Sequence, residues 1–176
     1  MVKRLLVFFL GLTVGATLVG GCVYKPSKEA IKNNQSIETN FTPGPDCENK
    51  IIQQINRSEK IDIAVYSITH PAIGNAIFAA HKRGARIRII TDRTQAKGKK
   101  SLIDDFKKAG IPIITNKKHK LQHNKFAIFD DVRIVSGSYN WTVNASKYNA
   151  ENCIFLNQLD KEFTNQFEYL WNLYSE

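Results

Sequence analysis

Residues 123–140 read HNKFAIFDDVRIVSGSYN, and this stretch decides how the second half of the chain folds. Apolar side chains recur at every second position in residues 126–128 and again in residues 132–134, which predicts two short strands. The pair Asp130-Asp131 between them is typical of a tight polar turn. We therefore expect a hairpin over this stretch.

Polar side chains gather at one end of the expected hairpin. His123 and Lys125 are two residues apart, so they project to the same face of the first strand. The run Ser136–Asn140 after the second strand supplies a glycine, two hydroxyls and an amide. A glycine lets the backbone approach an anion closely, and an imidazole, an ammonium, hydroxyls and an amide at one point suit a phosphate group.

The spacing of these residues resembles the signature of the phospholipase D superfamily, H-x-K-x4-D-x6-G-S-x-N. The positions are filled by His123, Lys125, Asp130, Gly137, Ser138 and Asn140, and Glu151 completes the set. Further stretches resemble small bacterial members that carry the motif once, which include a periplasmic, plasmid-borne endonuclease and relatives described as phospholipase D. Those stretches are residues 41–43, 61–67, 82–90 and 149–152, and the likeness covers roughly residues 37–174.

The resemblance implies a covalent mechanism in which His123 attacks phosphorus and forms a phosphohistidine. A neutral imidazole has the lone pair for that attack. In the family, the histidine of a second motif protonates the leaving oxygen. This chain carries the motif once, so we expect a homodimer with one shared site. Tyr139 and Trp141 are candidates for the subunit contact or, equally, for core packing.

The resemblance also assigns roles to the remaining motif residues. Lys125 and Asn140 would hold the non-bridging phosphate oxygens, with Ser138 adding a hydrogen bond and Gly137 letting the loop close over the phosphate. Glu151 would bond the far ring nitrogen of His123, as an acid does in a hydrolase triad. Asp130 is expected to be structural, bonding backbone amides at the turn.

No cofactor and no metal site are expected from the sequence. It has no His/Cys/Asp cluster with the spacing of metal ligands, and Lys125 supplies the positive charge that a metal would bring. For His70, His81 and His119 no surrounding pattern suggests a catalytic role.

The rest of the sequence predicts strands alternating with helices. Such alternation favours crossover units and a parallel sheet, to which the hairpin adds antiparallel strands. The fold class is therefore α/β, with a mixed, largely parallel sheet flanked by helices on both faces, a phospholipase D/nuclease-like fold. Strands are expected at 37–41, 61–66, 86–90, 111–115 (near an edge) and 152–156, helices at 46–55 (capped by Asp46), 71–84, 102–110 and 163–174, and a basic loop at 94–100.

Positive charge is concentrated in the middle of the chain. The 176 residues carry a formal net charge of +9, and residues 82–125 alone hold fourteen lysines and arginines against Asp92, Asp104 and Asp105. A basic block favours polyanions, either nucleic acid or an anionic membrane surface, although a solvated surface has the same composition.

The three cysteines are too few for a disulfide scaffold. Cys47 and Cys153 could pair in an oxidising compartment. The sequence favours two unpaired thiols, because nothing in it fixes the distance between them.

Residues 1–22 form a signal peptide or membrane anchor, residues 23–36 a linker and residues 37–176 the catalytic domain. Lys3 and Arg4 precede an uncharged apolar run, which is typical of export. Val19-Gly20-Gly21-Cys22 resembles a bacterial lipoprotein box, with Cys22 as the lipidation site. An uncleaved anchor and ordinary cleavage are alternatives, and all three place the domain outside the cytoplasm, either periplasmic, secreted or held at the membrane.

Three functions are compatible with these observations. The first is a metal-independent nuclease acting on DNA or RNA, which the basic block favours. The second is a phospholipase D that releases lipid head groups, which a membrane-proximal N-terminus suits. The third is a non-catalytic nucleic-acid-binding or phosphate-binding module, against which the intact His123, Lys125 and Glu151 argue.

Overall fold

Seven strands and six helices lie along residues 36–176, which are the residues that the computed structural model describes. The strands are β1 (Ile37–Phe41), β2 (Lys60–Val65), β3 (Arg86–Thr91), β4 (Ile113–Thr115), β5 (Lys125–Phe129), β6 (Arg133–Gly137) and β7 (Asn152–Leu156). The helices are α1 (Asp46–Arg57), α2 (Pro71–Lys82), α3 (Arg93–Ala96), α4 (Ile103–Lys108), α5 (Val143–Lys147) and α6 (Lys161–Ser175). The predicted export segment 1–22, and all but the last residue of the predicted linker 23–36, lie outside the described residues.

All seven strands join one sheet in the order β1-β7-β6-β5-β2-β3-β4. The α/β class and the mixed sheet are confirmed, but the expectation of a largely parallel sheet is wrong. Only β2 with β3 and β3 with β4 pair in parallel, and the other four pairings are antiparallel. The reason is that the parallel crossover units end at β4. The remaining pairings come from the β5–β6 hairpin, from β5 beside β2, and from β7 between β6 and the edge strand β1, and all of them are antiparallel.

Helices cover both faces of the sheet, as expected. Alternate residues of β5 point to opposite faces, so Ala127 and Phe129 join the core under α1, α2 and α4, while Phe126 and Ile128 join the core under α6. The inner face of α2 is buried, and α6 buries Phe167, Leu170 and Tyr174. Each such large apolar side chain contributes roughly 1.5–3 kcal/mol when it leaves water. No helix among residues 36–176 is both long enough and apolar enough to span a membrane.

Three local predictions need correction. Helix α1 begins at Asp46 itself, with Pro45 rather than Asp46 in the capping position. The segment predicted as a basic loop opens with the short helix α3, whose first amides are capped by the Asp92 carboxylate. Helix α5, capped by Thr142, was not predicted. Helices of four or five residues are too short to show a helical period in the sequence.

Cys47 and Cys153 form a disulfide that ties α1 to β7, so the expectation of two unpaired thiols is wrong. The two residues are 106 positions apart in sequence, and packing of α1 against the sheet brings their Cα atoms to 5.9 Å. That distance suits a disulfide and is set by tertiary structure alone.

Tyr139 and Trp141 are core residues, so the alternative that they form a subunit contact is wrong. Their side chains are only 2% and 1% exposed. The Tyr139 hydroxyl lies 2.6 Å from the Ser146 Oγ, and burial raises the pKa of Tyr139 to about 12. Both buried aromatic rings therefore anchor the loop that carries Ser138 and Asn140 to the core.

Candidate active site

The β5–β6 hairpin places its two polar flanks at the same edge of the sheet. Lys125 begins β5 and pairs with Val65, the last residue of β2, while Gly137 ends β6 and pairs with Cys153 of β7. The ends of β2, β3 and β6 and the beginnings of β5 and β7 therefore meet here. In sheets of this kind, ligands bind where such strand ends open to solvent.

His123 and Lys125 are in direct contact at this edge. The Lys125 Nζ lies 2.9 Å from the His123 Nδ1 and donates to the His123 carbonyl oxygen at 2.7 Å. An ammonium can only donate, so in this arrangement Nδ1 accepts and Nε2 carries the ring proton. Because His123 is exposed and Lys125 half-buried, the pair is open to a ligand from solvent.

Burial lowers the pKa of Lys125 below its ordinary value, and the nearby Glu151 carboxylate opposes that shift. The ammonium also lies 5.2 Å from the centre of the Tyr66 ring, a distance at which the ring attracts a cation. Lys125 is therefore a partly desolvated cation, and such a cation interacts more strongly with an anion than one in bulk water.

Tyr66 is a positioning residue that the sequence analysis did not assign to the site. Its ring packs against the His123 ring with centroids 4.7 Å apart, and its hydroxyl accepts a hydrogen bond from Gln95 at 3.0 Å. Its place directly after β2 was the available signal, because the ends of neighbouring strands meet at one edge.

The backbone before His123 is held by Asp92, a second residue that sequence reasoning missed. The buried Asp92 carboxylate accepts from the amides of Gln122, Thr94 and Gln95 at 2.9–3.3 Å. Burial alone would raise its pKa, but these amides more than offset that effect and hold the pKa below its ordinary value. Gln122 in turn accepts from the backbone and side chain of Asn124. His123 thus lies between two anchored residues.

Gly137 is required by the neighbouring strand. Its φ is +149°, and a Cβ at this position would lie 2.3 Å from the Asn152 carbonyl oxygen. The sequence predicted close approach to a phosphate as the reason for glycine here. The contact with β7 is a second and stronger reason for glycine at this position. No larger residue fits without moving β7.

Ser138 and Asn140 are arranged differently around this loop. The exposed Ser138 Oγ accepts from the Asn152 amide at 3.0 Å, which leaves its own proton to be donated to a ligand. The Asn140 Oδ1 is buried and has no hydrogen-bond partner among the described residues. Both side chains keep hydrogen-bonding capacity that the protein does not use.

Glu151 does not bond His123 within this chain, in contrast to the expected triad-like contact. Its Oε1 accepts from the Asn149 side chain at 3.0 Å, and its backbone is bonded to Thr42 on both sides. In the sequence, α5 lies between the hairpin and Glu151. The distance from Glu151 to His123 therefore depends on how the α5 segment packs. Its charge nevertheless acts on Lys125, as described above.

Asp130 lies at the opposite end of the hairpin, away from His123. Its Oδ1 accepts from the backbone amides of Glu59 and Lys60 at 2.8 and 3.0 Å, and its Oδ2 contacts the Arg133 guanidinium. Burial opposes ionisation, but these donors more than offset it and lower the pKa of Asp130. Asp130 and Asp131 have φ near +54°, which suits a tight hairpin turn.

The other three histidines make contacts of their own. The His81 Nε2 lies 2.8 Å from the Ala109 carbonyl oxygen, and the His119 Nδ1 lies 2.6 Å from the Tyr174 hydroxyl. The buried His70 Nε2 lies 3.0 Å from the Glu48 carboxylate, although outside the direction of a good hydrogen bond. Only His123 is paired with a lysine at the sheet edge.

Comparison with known proteins agrees with this geometry. Residues 51–171 match the family described as "Cardiolipin synthase, PLD-like domain". The chain is 32% identical to a phospholipase D of Rickettsia prowazekii over 140 residues, covering 79% of this chain and 67% of that protein. It is 39% identical to the mitochondrial cardiolipin hydrolase of Chlamydomonas reinhardtii over 116 residues, covering 65% of this chain and 52% of the relative, so it spans about half that relative's length.

A solved structure extends the likeness to the fold. Nuc from Salmonella typhimurium, a phospholipase D family member, superposes with a TM-score of 0.72 and 28% identity, covering 78% of this chain and 95% of that one. The resemblance noted in the sequence is thereby confirmed at the levels of family and fold. The chain belongs to the phospholipase D superfamily of phosphodiesterases.

Proposed function

We propose that the protein is a metal-independent endonuclease that hydrolyses phosphodiester bonds of DNA or RNA through a phosphohistidine intermediate. The observation that carries the proposal is the contact between His123 and Lys125 at an open sheet edge bordered by basic loops. A nucleophile beside a desolvated cation suits attack on a phosphodiester, whose charge increases in the transition state.

The basic block supports a polyanionic substrate. Six of its lysines follow α3 and β4, so they border the edge that carries His123, and all six are exposed. Among residues 36–176, only Lys118 of this set has a carboxylate within 4 Å, that of Glu176 at 3.9 Å. Each lysine that contacts a phosphate adds to the salt dependence of binding. The set is Lys97, Lys99, Lys100, Lys117, Lys118 and Lys120.

The mechanism starts with binding of the phosphate. The Lys125 ammonium turns from the His123 ring to a non-bridging oxygen, and the Ser138 hydroxyl and the Asn140 Nδ2 donate further hydrogen bonds to the phosphate. Release of Nδ1 lets that nitrogen hold the ring proton, so that Nε2 has the free lone pair. Nε2 then attacks phosphorus, a P–N bond forms, and the P–O bond to the leaving group breaks.

A second histidine completes the reaction. The leaving oxygen takes a proton from an imidazolium on the far side of the phosphate, and the resulting neutral ring then deprotonates a water molecule. That water attacks phosphorus, the P–N bond breaks, and the electron pair returns to His123. The other histidines of the chain make their own contacts elsewhere, so the same histidine of a second copy is the proposed acid, and the active unit is a homodimer.

Phospholipase D activity is the second candidate, and one surface feature favours it. Phe41 and Tyr148 are 68% and 74% exposed, and both adjoin the segment around Glu151, because the Thr42 amide and hydroxyl bond the Glu151 and Asn149 carbonyls. Exposed aromatic side chains near a site suit contact with a lipid surface. The names of the relatives in Rickettsia and Chlamydomonas favour lipid as well.

Export is a further part of the proposal. The Cys47–Cys153 disulfide supports it, because disulfides persist in oxidising compartments. The segment that would direct export, residues 1–22 with the lipidation candidate Cys22, lies outside the described residues. An outward-facing reporter fused after residue 40 tests this, and reporter activity confined to the cytosol would refute it.

One assay separates the candidate functions. Purified protein is incubated with plasmid DNA, single-stranded RNA, and phosphatidylcholine or cardiolipin vesicles, each with EDTA present. We expect cleavage of nucleic acid. Cleavage of lipid alone would favour the second candidate, binding without turnover would favour a non-catalytic module, and activity lost in EDTA but restored by Mg²⁺ or Zn²⁺ would contradict metal independence.

Mixing chains tests the shared site. Wild-type and His123→Ala chains are combined in equal amounts and allowed to exchange. Random pairing leaves both histidines in about a quarter of the dimers, whereas independent subunits keep about half of the chains active. A monomer in sizing experiments, with specific activity unchanged on dilution, would rule the shared site out.

A further inference from the structure

A cavity of about 340 Å³ opens beside the candidate nucleophile, between the hairpin and α6. His123 and Lys125 line one wall, and Phe163 and Gln166 of α6 line the opposite wall. A second cavity of about 330 Å³ shares His123 and Gln166 and continues the space past the ring. None of the proposed catalytic steps uses the wall that α6 provides.

The α6 wall combines an aromatic ring with an unpaired amide group, and the facing wall adds a second amide. Phe163 is half-buried and packs edge-on with Phe126, with centroids 5.2 Å apart. Gln166 is exposed and makes no side-chain hydrogen bond among residues 36–176. On the facing wall, the Asn124 side chain donates to Gln122, which leaves its carbonyl oxygen for another donor. The cavity thus offers an apolar surface together with donors and acceptors.

We propose that this cavity is a subsite for the nucleobase next to the scissile phosphate, with Phe163 as the stacking surface and Gln166 as the hydrogen-bond partner of the base edge. The inference rests on the proposed nuclease function. His123 and Lys125 line this cavity, so a phosphate held by them brings the neighbouring nucleoside within reach of α6.

A nucleobase fits this lining better than an acyl chain or a second phosphate. A base carries an aromatic face and an edge of donors and acceptors, so it can satisfy Phe163 and the amides together. An acyl chain would cover the amides of Gln166 and Asn124 without giving them partners, which is unfavourable. The Glu162 carboxylate at the rim would repel a phosphate but can accept from an exocyclic amino group.

Binding to an inactive variant tests the subsite without turnover. In the His123→Asn background, anisotropy is measured with a labelled tetranucleotide and with the same strand lacking one base at each position in turn. We expect one position at which loss of the base weakens binding about tenfold. Adding Phe163→Ala or Phe163→Leu should remove that preference, and Gln166→Ala should reduce it. Phe163→Leu keeps apolar volume, so a folding defect is separated from loss of stacking.

Matched controls lie on the same helix away from the cavity. Tyr169→Ala removes an exposed aromatic ring and Asn172→Ala an exposed amide, and both should leave the preference intact. Equal affinity for intact and abasic strands, or a preference that survives both Phe163 variants, would overturn the subsite. If vesicles rather than strands bind through Phe163, the cavity holds lipid. Base-dependent binding without strand cleavage by the wild type would refute the nuclease function and leave the subsite standing.

Discussion

The two ends of the β5–β6 hairpin use polar residues in opposite ways. At the turn end, both oxygens of Asp130 are occupied by the amides of Glu59 and Lys60 and by Arg133. At the edge end, the Ser138 hydroxyl proton and the Asn140 side-chain amide have no partner among the described residues. The motif therefore contains residues whose polar atoms are bonded within the fold and residues that keep unpaired polar atoms.

The pKa values of the two ends show the same contrast. Asp130 and Lys125 are both partly buried, and burial opposes the charged form of each. Hydrogen bonds overcome that effect at Asp130, whereas at Lys125 the burial effect prevails. A structural charge is neutralised within the fold, while a functional charge is left for a ligand to neutralise. The comparison predicts that changes at the edge end lower activity and changes at the turn end lower stability.

The largest effect is expected for His123→Ala. Removing the nucleophile should reduce kcat/KM by at least about 10³-fold, because the covalent route is lost, while the melting temperature stays close to that of the wild type. Steady-state kinetics and thermal unfolding measure the two quantities. His81→Ala is the matched control, and it should keep nearly full activity. Substantial turnover by His123→Ala would exclude the nucleophile role.

The disulfide is the next test. It anchors β7, and its Cys153 lies two residues after Glu151. Cys47→Ser should lower the free energy of unfolding by about 4–5 kcal/mol, since the bond closes a loop of roughly a hundred residues. Urea unfolding with and without reductant measures this change, and reduced wild type should match the variant. Thiol titration that finds Cys47 and Cys153 free in the folded, oxidised protein would disprove the pairing.

Asp130→Asn should lower the free energy of unfolding by about 1–3 kcal/mol, because charged hydrogen bonds to two amides and Arg133 are weakened. The folded-state pKa of Asp130 lies below the unfolded value. The stability that ionised Asp130 contributes is therefore present above its unfolded-state pKa and is lost as pH falls through its folded-state pKa. Unfolding at neutral and acidic pH should show the variant and wild type converging in acid. A large loss of kcat in folded Asp130→Asn would contradict a purely structural role.

Glu151→Gln should give the smallest effect, a shift in the pH profile. Phosphate binding needs the Lys125 ammonium, so activity falls as pH rises through the Lys125 pKa. Glu151 opposes the lowering of that pKa, and its neutralisation should therefore move the alkaline limb of kcat/KM to lower pH. Asp131→Asn, at the turn end, is the control and should leave the limb in place. An unchanged or upward-shifted limb for Glu151→Gln would show that the carboxylate does not act on Lys125.

The sequence by itself determined the hairpin, the superfamily and most elements of the sheet. Alternating apolar residues around Asp130-Asp131 specify two strands and a turn, because side chains on a strand repeat every two residues. The same regularity places His123 and Lys125 on one face. The helix expected at 71–84 is observed as α2, and the proline at its first position suits the start of a helix. These features depend on neighbours within a few positions in the chain.

Tertiary structure decided the features that depend on distant neighbours. Strand directions followed from how the chain returns after β4, and the disulfide from how α1 packs on β7. The roles of Tyr66 and Asp92 beside His123, and the Asn149 partner of Glu151, also came from packing. A sequence motif specifies which groups are available, but the distance between residues far apart in the chain is set by the burial of the whole core, which no local pattern encodes.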